Sequence, residues 1–554
     1  MKRLMTILVA ALPLLAMAQK SLEVSVDSVG KLSTKIEEAQ RFKIAELKIS
    51  GPLNGADIKL LQQIVNRTKT NKKNPGECLV TAIDLSEARI MGGKEGIKTK
   101  NDELPGGLFS GAKMLTKVLI PNTTTVIGKN CFEKCVSLTA IPIPETVTTI
   151  ENEAFEDCEK LSSISLPANL KTLGNGVFEG CKALTAIVIP EDVKELGTDL
   201  FRGCENLTAV TLPDRLKSVG SNAFRDCKNL TGITLPKSVN ELGSSAFENC
   251  TSLSTIEMAS VNNVGSSAFE GCKALGSATF DKISKLGSSA FKNCSSLATV
   301  ILQGHLNEIG ASAFRGCSTL SDITIPANVK IIGSRAFDDC KSLSQITLPT
   351  ALTKIGDHAF ENCASLREVS IPNMVKSIGS SAFENCTSLD SVAVNGFITE
   401  VESDLFRKCQ NLRVINLPTS VKKIGNKAFQ DCSALSGITL PVALLSIGDN
   451  AFENCASLTS IKVPVAVTTI GSSAFAGCIM LTTAELSTAL KKIGGSAFAK
   501  CASLREVILN TPAPPTITNS TFKGTSPTYL IPKGSLPIYV ANKNWQKITG
   551  FKEK

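Results

Sequence analysis

Histidine, tyrosine and tryptophan are scarce in this sequence. The 554 residues include 2 His, 2 Tyr and 1 Trp. The tyrosines and the tryptophan all lie after residue 528. A catalytic site built on His with Ser or Cys, or a zinc site with about four converging ligands, needs a cluster that this chain does not offer. Base stacking on nucleic acid needs aromatics among basic residues. We therefore expect no enzyme activity, no metal, no cofactor and no nucleic-acid partner.

Charge of one sign and long apolar runs are also missing. The chain has 59 Lys and Arg against 50 Asp and Glu, and the excess is scattered along the sequence. Beyond the first 18 residues, no stretch approaches the roughly 20 apolar residues that a membrane-spanning helix needs. We expect a soluble chain without a transmembrane span.

The first residues have the pattern of an export signal. Lys2 and Arg3 precede an apolar run over 4–15, which ends at Ala16-Met17-Ala18. A basic start, a short apolar run and a small-x-small cleavage site are typical of a secretory signal peptide. The sequence predicts a signal peptide over residues 1–18 and a protein at the cell surface or outside the cell, with the periplasm as the alternative.

A repeat fills most of the chain. Phenylalanine recurs every 23 residues, or 22 at two places, and from the second onward a cysteine follows three residues later, from Cys135 to Cys501; the positions are Phe109, Phe132, Phe155, Phe178, Phe201, Phe224, Phe247, Phe269, Phe291, Phe314, Phe337, Phe360, Phe383, Phe406, Phe429, Phe452, Phe475 and Phe498. Self-similarity at such a period is the signature of a solenoid, in which each repeat forms one rung.

Each rung contains one strand that alternates apolar and polar residues. In the rung after Cys158, Ile164 and Leu166 face one side while Ser163 and Ser165 face the other. Proline ends most of these strands because it has no N–H to give to the next strand. A glycine recurs later in the rung, as at Gly174, where either a positive φ or close packing would favour it.

The repeat carries a resemblance to a known family. The pattern runs from Cys340 through Leu343, Ile346, Leu348-Pro349, Leu352, Ile355-Gly356 and Ala359-Phe360 to Cys363. It resembles the Treponema pallidum-type leucine-rich repeat of BspA-like surface proteins, and the tail resembles the C-terminal segment of such proteins in Bacteroidetes. The resemblance implies an α/β horseshoe solenoid of about 18 rungs, with parallel strands on the concave face and short helical turns elsewhere. It also implies adhesion to host matrix, host cells or other bacteria.

The chain divides into four segments on this interpretation. After the signal peptide, residues 19–105 form a divergent N-terminal cap, 106–510 the repeat array, and 511–554 a C-terminal cap. Within the N-terminal cap, the pattern predicts strands over 42–49 and 79–85, a helix from near Asp57, and a surface loop over 91–102. Caps are required because an end rung would otherwise expose its apolar interior.

The cysteine column allows two interpretations. An exported protein meets an oxidising compartment, and adjacent rungs lie within the reach of a disulfide. Seventeen equivalent inward positions in parallel register favour buried free thiols that pack as small apolar side chains. Cys131 and Cys78 stand outside this column, and the sequence gives no partner for either.

The outward strand positions form the candidate binding face. The ribbon consists of the residues between the two inward side chains of each strand, and the candidates are Thr211, Thr234, Glu257, Thr279, Ile301, Thr324, Thr347, Ser370, Asn416, Thr439, Lys462 and Glu485. Threonine suits an exposed strand, so the ribbon fits a purely structural role as well as a platform for a protein partner. A sugar-binding face would carry aromatics, which the tail alone offers at Tyr529, Tyr539 and Trp545.

The sequence thus favours a non-catalytic exported protein that binds macromolecules, most of all proteins, at the bacterial surface. The alternatives are a periplasmic or outer-membrane scaffold and a carbohydrate-binding surface protein.

Residues 250–310 hold both 22-residue spacings and three rungs without the strand-ending proline. One hypothesis is that this segment forms a bend that positions a partner, and the other is that it reflects drift in a tolerant array.

Overall fold

Each repeat forms one rung of a parallel β-solenoid. The computed structural model describes residues 21–38, 40–41, 43–66 and 79–554, so the predicted signal peptide and Cys78 lie outside the described residues. The chain divides into two units, Met1–Val261 and Asn262–Lys554, and each is described by itself. The boundary falls inside the segment that lacks the regular spacing.

One column of strands forms the ribbon. Neighbouring strands pair in parallel, one rung apart, as Ala186–Val188 does with Ala209–Thr211. The ribbon strands of the first unit are Leu22–Ser25, Glu46–Leu53, Ala82–Asp84, Lys117–Leu119, Ala186–Val188, Ala209–Thr211, Gly232–Ile233 and Thr255–Ile256. Those of the second unit are Ser277–Ile283, Thr299–Gly304, Asp322–Thr324, Glu368–Ile371, Ser391–Val394, Val414–Asn416, Ser460–Lys462, Thr483–Leu486, Glu506–Leu509, Thr528–Ile531 and Phe551–Glu553.

A second column of short strands, the return strands, precedes the repeated glycine. Those of the first unit are Ala88–Ile90, Glu103–Leu104, Val126–Ile127, Thr149–Ile150, Thr172–Leu173, Glu195–Leu196, Ser218–Val219 and Glu241–Leu242. Those of the second unit are Asn263–Val264, Lys285–Leu286, Glu308–Ile309, Ile331–Ile332, Lys354–Ile355, Ser377–Ile378, Glu400–Val401, Lys423–Ile424, Ser446–Ile447, Thr469–Ile470 and Lys492–Ile493. Residues 106–510 contain these strands and turns but no helix, so the return strands stand where short helical turns were expected.

Proline limits the length of the ribbon strands. Pro372 follows Glu368–Ile371, and the strands before other prolines are no longer than that. Where Phe280-Asp281 and Leu302-Gln303 replace Leu-Pro, the strands lengthen to 7 and 6 residues, over Ser277–Ile283 and Thr299–Gly304. A backbone N–H at these positions allows the parallel pairing to continue. It does not by itself lengthen a strand, because Thr255–Ile256 has only 2 residues where Met258-Ala259 replaces Leu-Pro.

The phenylalanine sits in a turn that connects each rung to the next. Around Phe360, His358 and Asn362 adopt positive φ values of 57° and 61°. This alternation directs the N–H groups of all three residues along the solenoid axis, where they donate to the carbonyls of Ser380, Ala382 and Glu384 at 2.8 to 2.9 Å. The same arrangement recurs from rung to rung within each unit, so the turns of a unit form a hydrogen-bond ladder.

The phenylalanine rings stack inside this ladder. Ring centroids lie 5.1 to 5.8 Å apart from Phe109 to Phe247 and again from Phe269 to Phe498, in the range of offset-stacked aromatic pairs. Phe522 continues the column, 5.5 Å from Phe498, although its spacing of 24 residues hid it in the sequence. These rings are buried and form the core of each rung.

The repeated glycine is explained by close packing and does not have positive φ. A Cβ on Gly356 would lie 2.5 Å from the backbone nitrogen of Ser334 in the preceding rung. Of the two explanations that the sequence allowed, the contact with the neighbouring backbone is therefore the correct one. In each rung, positive φ occurs two residues before and two residues after the phenylalanine of the column.

The N-terminal segment adds strands and two helices. Helices span Leu32–Lys35 and Gly55–Val65, and the second buries Ile58, Leu61, Ile64 and Val65, as predicted. Asn54 and Asp57 form a capping box, and Asp57 also accepts bonds from the N–H groups of Gly30 and Leu32 at 2.7 and 2.9 Å. This carboxylate thus ties the first helix to the second.

The C-terminal segment closes on an aromatic cluster. Helix Leu536–Ala541 and the last two ribbon strands enclose Phe522, Tyr529, Tyr539 and Trp545. The Tyr539 hydroxyl donates to the Thr511 carbonyl at 2.8 Å, and the Trp545 indole N–H donates to the Pro515 carbonyl at 2.7 Å. The limits 19–105, 106–510 and 511–554 stay predictions.

Phe314→Ala should destabilise the protein by about 3 to 5 kcal/mol, because it removes a buried ring and leaves a cavity between two stacked neighbours. Urea denaturation followed by circular dichroism measures the change. Phe397→Ala is the matched control, since this ring is 74% exposed and its loss should cost less than about 1 kcal/mol. Equal effects of the two substitutions would refute the stacked core.

Candidate binding face on the strand ribbon

Eight of the twelve predicted ribbon positions lie within ribbon strands. Thr234 and Glu257 directly follow a strand, and Thr347 and Thr439 lie in rungs that have no ribbon strand. Ile301 and Glu485 are half-buried and the other ten candidates are exposed; these are Thr211, Thr234, Glu257, Thr279, Thr324, Thr347, Ser370, Asn416, Thr439 and Lys462. Parallel pairing places neighbours directly beside one another, as with Lys462 and Glu485. Whether these residues bind a partner stays a prediction.

A second outward column runs beside the first. It lies two residues earlier in each strand, and Val414 belongs to it, with Ile415 buried and Asn416 in the first column. Sequence reasoning missed this column, although the same alternation of apolar and polar residues contains it. The ribbon is therefore two side chains wide.

Three grooves bring most of the candidates together. One of about 1110 Å³ includes Thr347, Ser370 and Asn416, one of about 580 Å³ includes Thr211, Thr234 and Glu257, and one of about 400 Å³ includes Thr439, Lys462 and Glu485. Thr279, Ile301 and Thr324 do not line any of these three. The candidates thus form separate patches along the ribbon.

The largest groove combines apolar and hydrogen-bonding side chains. Met374 and Val414 line it and are 56% and 53% exposed. Glu368 is the single charged residue among the residues that line this groove, and Gln345 and Asn416 add amides. Such a surface can seat an apolar side chain of a partner and hydrogen-bond to the groups around it.

The groove near the end of the ribbon is more apolar. Val442 and Val465, at 75% and 68% exposure, stand at its edge. Lys462 and Glu485 pair across it at 3.2 Å, so their charges largely offset each other. This groove too suits an apolar anchor better than a charged ligand.

The tail aromatics cannot serve as a sugar platform. Tyr529, Tyr539 and Trp545 are buried, and both Tyr539 and Trp545 use their polar atoms in bonds to the backbone. Carbohydrate binding in the tail was predicted only as an alternative that uses these three aromatics. Their burial removes that alternative. Sugar rings would need exposed aromatic faces, and these three are packed against one another.

Each cysteine of the described residues is buried, and those of the repeat lie beside the phenylalanine column. In sixteen rungs the Sγ–H donates to the carbonyl of the phenylalanine one rung earlier, at 3.0 to 3.2 Å. Cys131 is buried as well and takes the place of the usual alanine. The expectation that the column packs as small inward side chains is confirmed.

The two histidines lie in turns of the repeat. His358 is one of the positive-φ turn residues, and its Nδ1 lies 2.8 Å from Glu361 Oε2. Burial raises the pKa of Glu361, which His358 partly offsets. His305 is exposed in a connecting turn. In the described part of the chain, no three His, Cys, Asp or Glu residues are grouped so as to hold a metal.

Parallel ribbon strands in most repeats, over a core of leucine, isoleucine and phenylalanine, define a leucine-rich repeat protein. Residues 97–208, 194–321, 307–436 and 422–535 match the family described as BspA type leucine rich repeat region (6 copies). The chain belongs to this BspA-type family. The match indicates no catalytic class.

Solved structures include similar proteins. A leucine-rich repeat protein from Bacteroides ovatus is 27% identical, with a TM-score of 0.51, over 70% of this chain and 88% of that one. A T. pallidum leucine-rich repeat protein is 37% identical over 28% of this chain and 72% of that one, with a TM-score of 0.27. A comparison with curated proteins gave no match. Among the described residues, no helix has the length and apolar character needed to cross a membrane.

The thiol column should make stability depend on alkaline pH. Burial raises the pKa of Cys135, Cys317 and Cys501 to about 12 each, whereas an unfolded thiol titrates near pH 8.5. Above pH 8.5 the folded chain therefore binds more protons than the unfolded chain does. The free energy of unfolding is highest below about pH 8.5 and falls as the pH rises, by up to about 1.4 kcal/mol per thiol and pH unit. The urea midpoint should fall between pH 8.5 and 10.

Thiol labelling checks the same column independently. Under denaturing, non-reducing conditions most of the 19 cysteines should react, and in the folded protein almost none should. A midpoint that does not change with pH, or thiols that are blocked after unfolding, would contradict the free-thiol column.

Proposed function

We propose that this chain is an exported, non-catalytic repeat protein that binds macromolecules, above all proteins, at the bacterial cell surface, as an adhesin or host-protein-binding protein does. The observation that carries the proposal is the ribbon, where exposed outward side chains flank grooves with apolar and hydrogen-bonding groups. The signal peptide predicted over residues 1–18 supports export.

The rigidity of the ribbon favours binding. Its backbone is held by pairing between rungs, as at Glu368–Ile371 with Ser391–Val394. A partner that docks there does not have to order a loop first, so less of the contact energy is lost on binding. Exposed Met374 and Val414 give the largest groove the apolar anchors that protein interfaces concentrate at their centres.

The alternative is a periplasmic or outer-membrane scaffold without an adhesive role. One row of hydroxyls at the start of the ribbon strands favours it, because these groups bond to the neighbouring rung. Thr208 Oγ1 donates to the Thr185 carbonyl and Thr482 Oγ1 to the Thr459 carbonyl, both at 3.0 Å. These threonines stabilise the solenoid itself. Protease treatment of intact cells separates the two functions, since an adhesin must be cleaved from outside and a periplasmic scaffold must be protected.

A pair of ribbon substitutions tests the binding face. Ser370→Arg with Asn416→Arg should reduce capture of a protein partner about tenfold or more, because two long charged side chains would fill the largest groove. The measurement is binding to immobilised host matrix proteins and to intact host cells. Stability should hold, since both residues are exposed.

Ser342→Arg with Gln410→Arg is the matched control. These residues are exposed at the corner before the strands that carry the groove, so the charge change is the same and the groove stays open. Equal capture by the ribbon variant and the control would mean that the ribbon is not the binding face.

A further inference from the structure

A narrow row of lysines runs along the return strands of the second unit. Eight successive rungs carry two adjacent residues each that are exposed or half-buried, from 330–331 to 491–492, and seven of these sixteen residues are lysines. This lysine strip consists of Lys330, Lys354, Lys376, Lys422, Lys423, Lys491 and Lys492, all exposed. The basic excess that was scattered along the sequence is therefore partly collected by the fold onto one edge.

The backbone fixes the spacing of the strip. Lys354 pairs with Ile331 on one side and Ser377 on the other, and its N–H donates to the Lys330 carbonyl at 3.2 Å. Lys376 N–H donates to the Thr353 carbonyl at 2.9 Å. With neighbouring strands about 4.8 Å apart, the strip is roughly 34 Å long and about two side chains wide.

Most of this charge has no ion-pair partner among the described residues. Glu400 is the single acidic residue on these rungs of the return strands, and it pairs with Lys423. The ion pairs of the described residues do not include the other six lysines. Asp357 and Asp449 lie beyond the glycine and accept the N–H groups of Ser380 and Ser472 at 2.9 and 2.6 Å.

We propose that the lysine strip binds a linear anionic polysaccharide, one that carries sulfate or carboxylate groups. Its length and narrow width fit a single extended chain, whereas a membrane surface would need a broad charged face. The strip has no arginine for bidentate phosphate contacts and no aromatic for base stacking, which disfavours nucleic acid. The exposed Ser377 hydroxyl stands beside Lys354 and can bond to a sugar hydroxyl. The hydroxyls of Thr353 and Thr468 donate to the carbonyls of Lys330 and Leu445, so they can only accept from a sugar.

The strip and the ribbon lie on different strands of each rung, so this site does not depend on protein binding at the ribbon. The two can be tested separately with the same protein. A polysaccharide bound on the return strands leaves the ribbon grooves open, and loss of one activity would not remove the other.

The test uses the triple variant Lys330→Gln, Lys354→Gln, Lys376→Gln and measures binding to heparin, a sulfated probe, and to hyaluronan, a carboxylated probe, at several salt concentrations. The unaltered protein should bind at least one of them, with affinity falling as salt rises, and the triple variant should bind about tenfold or more weakly. Neutral dextran should not bind. Which probe binds identifies the anionic group.

A second triple variant, Lys160→Gln, Lys237→Gln, Lys273→Gln, is the control with the same charge change at exposed lysines elsewhere. If it weakens binding as much as the first, net charge alone is responsible and the strip is not a site. Stronger binding to phosphatidylserine vesicles or to single-stranded DNA than to either polysaccharide would also overturn the proposal.

Discussion

The structure of each unit depends on a hydrogen-bond ladder, which runs through the turns that carry the phenylalanines. Alternating left- and right-handed residues, such as His358 and Asn362 around Phe360, direct successive N–H groups along the axis to the next rung. The ladder brings the rings to stacking distance and leaves a carbonyl for each buried thiol to bond. Without this pairing, the polar backbone of the turn could not lie beside a buried aromatic column.

Rigid stacking at strand spacing also explains the two outer surfaces. A side chain at a given position of the repeat stands beside its equivalent one rung away, so small preferences in the repeat become continuous rows. Hydroxyl and apolar residues at the ribbon positions produce grooves, and lysines before the repeated isoleucine produce a charged strip. The same geometry thus gives one protein two chemically different faces, because each face samples a different position of the repeat.

Several features of the site could not be predicted from the sequence, for physical reasons. Gly356 fitted a positive φ as well as a close contact, and only the position of Ser334 in the neighbouring rung decides between them. Tyr539 and Trp545 were aromatic candidates for sugar binding, but the structure packs Tyr539 against Trp545, and Trp545 against Phe522 and Tyr529. Successive lysines of the strip lie 22 to 68 residues apart where they are not adjacent, a separation that gives no hint of proximity until the rungs are stacked.

The sequence by itself determined the rung length, the inward phenylalanine and cysteine columns, the period-2 strand and its outward residues, because each follows from the spacing of side chains within one repeat. The helix that buries Ile58 and Leu61 was equally predictable from its local periodicity. Only the tertiary structure decided which exposed rows meet as grooves, which aromatics are buried and where charge accumulates. Those properties depend on contacts between residues one or more rungs apart, and parallel stacking of the rungs alone brings them together.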